Sequence, residues 1–513
     1  MSFIPSQLTR LLCLVLSVWG YTISMPGGDV SWLAWVALVP LHYGMAEIPR
    51  RTIWLYSGLW GWLIWLTNLW WAAPALHHFL KIPPWIAWAG VCLYCLWMSL
   101  PYALYGLLFH LSGGLRSTLN CILLTALYVL PVSCFPSLFP GNLAHSQFRV
   151  PVLLQTLEWG GTPMLLFLMV LINVWLSRFV WHWVHQRQFC VTPVILCGML
   201  MLSLWTWGTF RIDQIHEAMN HPETPVLQVG LIQPNLERSG NVREALELTR
   251  ELAHSQKKMD LILWPEIPVP FSWVEKTSQQ QQINQLVEEL QTPLAMVSSY
   301  VYERTQTMPD GRQPYYNMAH LIAPGQVVAQ HYAKRRLVPF TEYLPFENQW
   351  SELRQWFPGV LRYIPGDTPQ TFRINSQVNA IPLICYEAIF ADMIRDFERG
   401  QPTLMINMTN DRWFGLTRAP WLHWALAQFR AVEFRMPLIR VSNSGISGYV
   451  SPTGETDPKA QTELMTQAAR NVLVPVPQIA SLYARCGNWF LYLLGLGVVV
   501  IFVLRQFWWR GGY

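Results

Sequence analysis

Apolar stretches long enough to cross a bilayer are confined to the first 210 residues and the last 26, and that segregation constrains the fold more than any other feature. They run over about 8–24, 31–46, 53–75, 84–110, 119–135, 163–184 and 192–210, with one more at about 488–507. A helix needs about 20 apolar residues to cross the hydrocarbon core, and most of these stretches qualify. The second is the shortest, interrupted by Pro40 and His42. Charged residues make up 13% of the chain, about half the usual share of roughly a quarter. The 28 Trp fit a chain with many membrane–water boundaries. These features predict a polytopic α-helical membrane domain of about eight spans. Residues 1–210 supply seven of them, and 488–513 supply the eighth and a tail. Residues 211–487 form a globular insert between the seventh and eighth spans.

The first stretch, with Arg10 near its start, has a signal-like profile. No small-x-small site follows Ser24-Met25-Pro26, so it is expected to be retained as an anchor. Arg50 and Arg51, Arg116, and Arg178 and Arg187 fall in alternate loops, and Arg505 and Arg510 follow the last span. The positive-inside rule then puts both termini in the cytoplasm and the insert in the periplasm of a bacterial inner membrane, provided the span count is even. The net charge of +5 is scattered, with no basic stripe to suit nucleic acid. The nine cysteines lie at 13, 92, 95, 121, 134, 190, 197, 385 and 486. Most are inside apolar runs, and they do not make a disulfide framework.

From about residue 211 the apolar runs shorten to strand length: Val226–Ile232, Asp260–Trp264, Leu294–Val301, Met318–Ile322, Gln326–His331, Val378–Cys385, Thr403–Met408 and Pro437–Val441. Helical patterns over Val242–Met259, Gln279–Leu290 and Trp421–Phe434 alternate with them. Strands alternating with helices predict one α/β domain.

Three of these runs end on groups that can do chemistry. Asp260–Trp264 leads through Pro265, which cannot continue a central strand, to Glu266. Another leads through His331-Tyr332-Ala333 to Lys334, and Ala380–Ile384 ends on Cys385. A cysteine in that place is commonly an inert small hydrophobe. Beside a base and a cation it becomes a nucleophile. Glu266 would take the thiol proton and return it to a leaving group, and Lys334 would stabilise the thiolate and a tetrahedral oxyanion. No HExxH, paired CxxC, P-loop or GxGxxG occurs in the insert, so neither a metal nor another cofactor is implied.

Trp264-Pro265-Glu266, Tyr332-Ala333-Lys334 with Leu337–Pro345, Cys385-Tyr386-Glu387, Asn407–Gly415 and Arg440–Ser447, in that order, resemble the nitrilase (carbon–nitrogen hydrolase) superfamily. With the flanking spans the chain resembles, over its full length, the apolipoprotein N-acyltransferases within it. The resemblance implies an α-β-β-α sandwich and a Glu266–Lys334–Cys385 triad. It also implies supporting roles for Glu342, Glu387 and Tyr386, and an aromatic pair, Trp413 and Phe414, beside the acyl chain. The chain departs from the pattern at Arg336, where His is usual, and at Thr341, where Gly is usual.

Phe346, Trp350, Leu353, Trp356 and Phe357 recur at helical spacing. They predict a short amphipathic helix that lies on the bilayer surface as a lid. Together with the aromatics of 264–273 they favour a lipid substrate. The resemblance implies a monomer that forms a thioester with the sn-1 acyl chain of a membrane phospholipid and passes it to the amino group of a diacylated apolipoprotein. With water in place of the amine, the same residues would make a membrane-anchored amidase. A degenerate scaffold would have no chemical need of all three groups.

Overall fold

The computed structural model describes residues 7–510 except 47, 188, 190, 238–241, 256–257, 270–277, 303–314, 327–329 and 351. The chain divides into two compact units. One comprises residues 1–73, 88–212 and 481–513, the other 74–87 and 213–480. The segment 74–87, which sequence order leaves among the spans, belongs to the second unit.

The first unit is helical. Pro84–Phe109, Leu157–Gln186 and Thr192–Met219 are long and apolar enough to cross a membrane, and Thr118–Cys134 and Trp489–Arg505 are shorter apolar helices. Gln7–Ser24 and Ile53–Leu69 are further helices. The stretch 31–46 is not one helix. It forms a 3-10 turn, Ser31–Trp35, and an eight-residue helix, Val39–Ala46, which at 1.5 Å per residue reaches only about 12 Å. Leu157–Gln186 breaks at Gly160 and Gly161, where Gly161 has φ +67°. A Cβ on Gly161 would lie 2.4 Å from the Tyr483 ring, so the close approach of that ring requires glycine. Large apolar side chains such as Leu93, Trp97, Leu202, Leu493 and Leu496 face outward, the reverse of a water-soluble bundle.

The second unit holds two sheets. The first has the order β11-β1-β2-β3-β4-β5, built from β1 (Val226–Gln233), β2 (Leu261–Val269), β3 (Leu294–Tyr302), β4 (Tyr315–Ile322), β5 (Gln330–Ala333) and β11 (Ala468–Pro475). The second has the order β10-β9-β8-β7-β6, built from β6 (Phe372–Arg373), β7 (Asn379–Ile384), β8 (Leu404–Thr409), β9 (Leu438–Ser442) and β10 (Gly448–Val450). β2 packs on β8 and β9. Helices Val242–Ser255 and Ser278–Leu290 bury Ala245, Leu246, Leu252, Ile283, Leu286 and Val287 against Ile262, Trp264, Leu294 and Met296 of the first sheet. Helix Ala419–Phe434 packs on β9. The result is an α-β-β-α sandwich, with parallel pairs at β1–β2, β2–β3, β7–β8 and β8–β9.

Pro382 lies inside β7. β6 pairs only with Asn379 and Ala380, so no ladder partner on that side asks Pro382 for a donor. β11 pairs antiparallel with β1 from Val226↔Pro475 to Gln233↔Ala468. Nothing in its sequence marks it as a strand, because Arg470 and Asn471 interrupt the apolar alternation.

Candidate active site

Glu266 is not at a strand end. β2 continues to Val269, and its register with β3 shifts on either side of Glu266. β2 meets β1 only through Leu261–Leu263, so beyond that point one edge needs no donors and Pro265 is tolerated. The irregularity re-aims the carboxylate, as bulges do. Glu266 is buried, and Asn317 of β4 donates Nδ2–H to its Oε1 at 2.8 Å.

Lys334 follows β5, and its backbone N–H donates to the Asn317 carbonyl at 2.8 Å. The strand pairing that carries Asn317 therefore also sets Lys334. Its ammonium is fully buried, 2.6 Å from Glu342 Oε1 and 3.5 Å from Glu266 Oε1. Burial works against that charge, but Glu342, Glu266 and Cys385 outweigh it and hold the Lys334 pKa well above the ordinary range. Burial pushes the Glu342 carboxyl up, with Lys334 opposing and Glu266 adding. Glu342 Oε2 also accepts the Val338 N–H at 2.8 Å. Glu342 is thus the nearer counter-ion of the lysine.

Glu387 does something different. Its Oε1 accepts from Tyr332 Oη at 2.8 Å and from the Arg335 and Arg336 N–H groups at 2.7 and 3.1 Å, and its Oε2 accepts the Ile384 N–H at 2.9 Å. It fastens the loop after Lys334 to the turn that carries Cys385. Burial pushes its carboxyl up, against the pull of those backbone donors and of Lys334. Arg336, one of the two departures from the family pattern, turns its side chain outward. It donates to Asp392 at 2.6 Å and sits 4.2 Å over the Phe390 ring. Thr341, the other, closes a turn onto the Val338 carbonyl at 3.1 Å.

Cys385 opens a 3-10 turn directly after β7, with φ +51°. A non-glycine residue in the left-handed region is strained and persists only where its surroundings fix it. Asn407 Nδ2 supplies part of that fixation, donating to the Leu383 and Cys385 carbonyls at 3.2 and 3.1 Å. Asn407 Oδ1 accepts in turn from Arg440 Nη1 at 2.6 Å. Arg440 Nη2 donates to Asp411 Oδ2 at 2.7 Å, and His423 Nδ1 lies 2.9 Å from both Asp411 Oδ1 and Arg440 Nη2. Burial opposes ionisation of Asp411, but Arg440 and His423 outweigh it and hold that carboxyl well below its usual range. The thiol of Cys385 is pushed far up by burial and by the Glu266 charge, with Lys334 opposing. At rest it is a thiol.

The structure therefore gathers Glu266, Lys334, Glu342 and Cys385 at one site, with Glu387 behind the turn. Tyr386 is buried and meets Phe390 edge to face at 4.8 Å. Phe414 is buried against His423, and Trp413 stacks on Phe414 at 5.1 Å. Trp413 also meets Phe79 at 5.2 Å, so the segment 74–87 contributes to the surroundings of this aromatic pair. That segment, Asn317 and His423, which sits on helix Ala419–Phe434, have no prominence in the sequence, whereas Asn407, Asp411 and Arg440 fall in stretches that carry the family resemblance.

The expected amphipathic helix over 346–357 does not form. Among the described residues of this stretch only Leu353–Trp356 is helical, and Phe346 has φ +65°. Leu353 and Phe357 pack inward on Leu80, Ile82, Leu344 and Val360, while Phe346, Trp350 and Trp356 remain 64%, 63% and 71% exposed. The ion pair of Arg354 with Glu347 ties the loop across what a continuous helix would have kept apart. Of the aromatics expected over 264–273, those beyond residue 269 lie outside the described residues. Among the described residues, no cluster of His, Cys, Asp and Glu is suited to a metal.

Two family profiles match the chain in succession. That of the Apolipoprotein N-acyltransferase N-terminal domain covers residues 19–175, and that of the Carbon-nitrogen hydrolase family covers 227–467. Proteins called apolipoprotein N-acyltransferase match along most of the chain. The one from Geobacter metallireducens is 28% identical over 94% of this chain and 92% of its own. The one from Rhizobium etli is 29% identical over 87% and 89%. Among solved structures, Saccharomyces cerevisiae Nit3, of the nitrilase superfamily, is 18% identical with a TM-score of 0.37 and covers 49% of this chain and 90% of its own. With both profiles matched in order along one chain, and with relatives of one name spanning both units, this chain belongs to the apolipoprotein N-acyltransferases of the nitrilase superfamily.

Proposed function

We propose that this chain is a phospholipid-to-apolipoprotein N-acyltransferase of a bacterial inner membrane, working by ping-pong chemistry through a thioester on Cys385. The observation that carries this is the buried Glu266–Lys334–Glu342 cluster, whose charges act on the thiol of a strained cysteine turn. Because Cys385 rests as a thiol, it needs a base at the moment of attack. Glu266 takes the proton as sulfur adds to the carbonyl carbon of the sn-1 ester. Lys334, kept protonated by Glu342, stabilises the oxyanion. The C–O bond then breaks, Glu266 returns the proton to the leaving oxygen, and a lysophospholipid departs.

In the second half the amino group of a diacylglyceryl-cysteine attacks the thioester. Glu266 accepts an amine proton, the C–S bond breaks, and the thiolate recovers a proton. The product is an N-acylated lipoprotein. Glu387 and Tyr386 support the cysteine turn. Trp413 and Phe414 line the acyl-chain path, with Trp350 and Trp356 at its membrane side. If the broken stretch 31–46 counts as a crossing, giving eight spans, the loop charges put both termini in the cytoplasm and the catalytic unit in the periplasm.

The test is mass spectrometry of the purified full chain incubated with phospholipid. An acyl adduct on Cys385 that a diacylated lipopeptide amine discharges is the expected result. Discharge by water at the same rate would instead favour a membrane-anchored amidase, and absence of any adduct would exclude the thioester.

A further inference from the structure

Outside the active site, the first unit holds a cavity of about 300 Å³ lined by Ala46, Arg50, Phe109, His110, Gly113, Gly114, Leu115, Arg116 and Trp181. That volume is at the lower end for a small-ligand pocket. Among the described residues its charges are of one sign. Arg50 and Arg116 both line it, neither has an ion pair or hydrogen bond among the described residues, and no described carboxylate faces it. The indole Nε1–H of Trp181, another lining residue, is buried without an acceptor.

The turn that forms one wall is held so that it does not repel an anion. Gly113 and Gly114 adopt φ +85° and +59°. The carbonyl oxygens of Leu111 and Ser112 are covered by Arg505 Nη1 at 3.2 and 3.1 Å, and that of Leu115 by Arg178 Nη1 at 2.7 Å. His110 Nε2 donates to the Ile48 carbonyl at 2.9 Å, fixing the loop that carries Arg50 to the same turn. Two uncommitted guanidiniums, an unused buried donor and a wall whose acceptors are already occupied are complementary to one ligand class. A guanidinium meets phosphate oxygens through paired N–H donors, and an unsatisfied buried donor is costly until an acceptor arrives.

We propose that this cavity binds a phosphate group, carried by the head group of an anionic membrane lipid or present as free phosphate. Exposed Leu107 and Leu111 beside it give acyl chains an apolar surface, which suits the lipid source. Basic pockets between membrane helices bind such head groups. The site belongs to the helical unit and does not depend on the chemistry proposed for Cys385.

The test uses the delipidated full chain in detergent, titrated with phosphatidylglycerol and read by native mass spectrometry, with inorganic phosphate as competitor. Arg50→Gln with Arg116→Gln is expected to weaken phosphatidylglycerol binding by about tenfold, while Arg51→Gln, whose side chain does not line the cavity, leaves it unchanged. Trp181→Phe, which removes the N–H donor and trims the ring, should weaken binding by a smaller factor, and it serves if the double variant fails to fold. Competition by millimolar inorganic phosphate assigns the site to free phosphate, and persistence of the lipid adduct assigns it to the head group. Equal lipid affinity in the wild type, the double variant and Trp181→Phe would overturn the proposal. So would an equal loss in Arg51→Gln, which would mean diffuse surface charge.

Discussion

The two units bury polar groups in opposite ways. In the helical unit the interior polar groups are almost all neutral. His42 lies between Tyr105 Oη at 2.7 Å and Ser177 Oγ at 3.0 Å, Asn173 bonds the backbone at Ala34 and Leu38, and Trp60 donates to Ser17. Glu158 is the buried carboxylate among its described residues, and Arg211 binds it through both oxygens. The sandwich instead buries Glu266, Lys334, Glu342, Glu387, Asp411 and Arg440 within one region. Buried ions are a weak route to stability, whereas neutral hydrogen bonds between helices cost little to desolvate. The difference separates an interior arranged for packing from one arranged for chemistry, and it predicts that single substitutions will act differently in the two.

The largest effects belong to the ionic interior. Cys385→Ala should lower acyl transfer by at least about 10³-fold and remove the acyl adduct. Glu266→Gln should lower turnover comparably, yet it should make the resting thiol easier to alkylate. The sign follows from the cause. Burial and then the Glu266 charge push the Cys385 thiol above its ordinary value of 9.0, so the thiolate fraction at pH 8 is depressed, and removing the charge raises it. In the parent enzyme, iodoacetamide labelling of Cys385 should keep rising beyond pH 9. Equal labelling of Cys385 in parent and Glu266→Gln would mean that the two groups do not interact.

Next comes the network behind the nucleophile. Asp411→Asn leaves Arg440, which is fully buried, without its counter-ion. Breaking such a pair costs about 3–5 kcal/mol, which for a unit of this size lowers the unfolding midpoint by on the order of 10 °C. Asp411→Asn with Arg440→Gln should be less damaging than the sum of the two. An additive result would show that the pair is not coupled. Smaller again, Trp350→Ser with Trp356→Ser should slow acylation by phospholipid about tenfold and spare a water-soluble thioester-forming donor. Equal slowing with both donors would remove these exposed aromatics from any role in lipid access.

Much of the ionic interior was legible from sequence, because each reactive residue stands at the end of an apolar run that had to be a strand. The apolar runs before Glu266, Lys334 and Cys385 overlap β2, β5 and β7, although β5 shares only Gln330 and His331 with the run expected there and β2 continues five residues further. What escaped was set by tertiary pairing. Pro265 suggested an end to β2, but an unpaired edge lets the strand pass through it with a bulge. β11 carries Arg470 and Asn471, and only its partner β1 makes it a strand. The helical spacing of 346–357 was real as a pattern, but the inward pull on Leu353 and Phe357 and the Arg354–Glu347 pair leave only one helical turn. The association of 74–87 with the sandwich rests on Leu80, Ile82 and Ala87 meeting Leu344 and Val360, a contact that no local periodicity announces.

The smallest effect tests the neutral interior itself. Ser177 Oγ donates to the Asn173 carbonyl at 2.6 Å and lies against His42 Nδ1, so Ser177→Ala removes a hydrogen-bond partner from a fully buried imidazole. Within a membrane such interhelical bonds contribute about 0.6 kcal/mol on average and up to roughly 1.7, because the separated helices also find partners. Ser177→Ala should therefore shift the unfolding midpoint by only a few degrees and leave the rate of Cys385 acylation unchanged. A loss as large as that from Asp411→Asn would mean that His42 is held against a charge, and the contrast between the two interiors would fail.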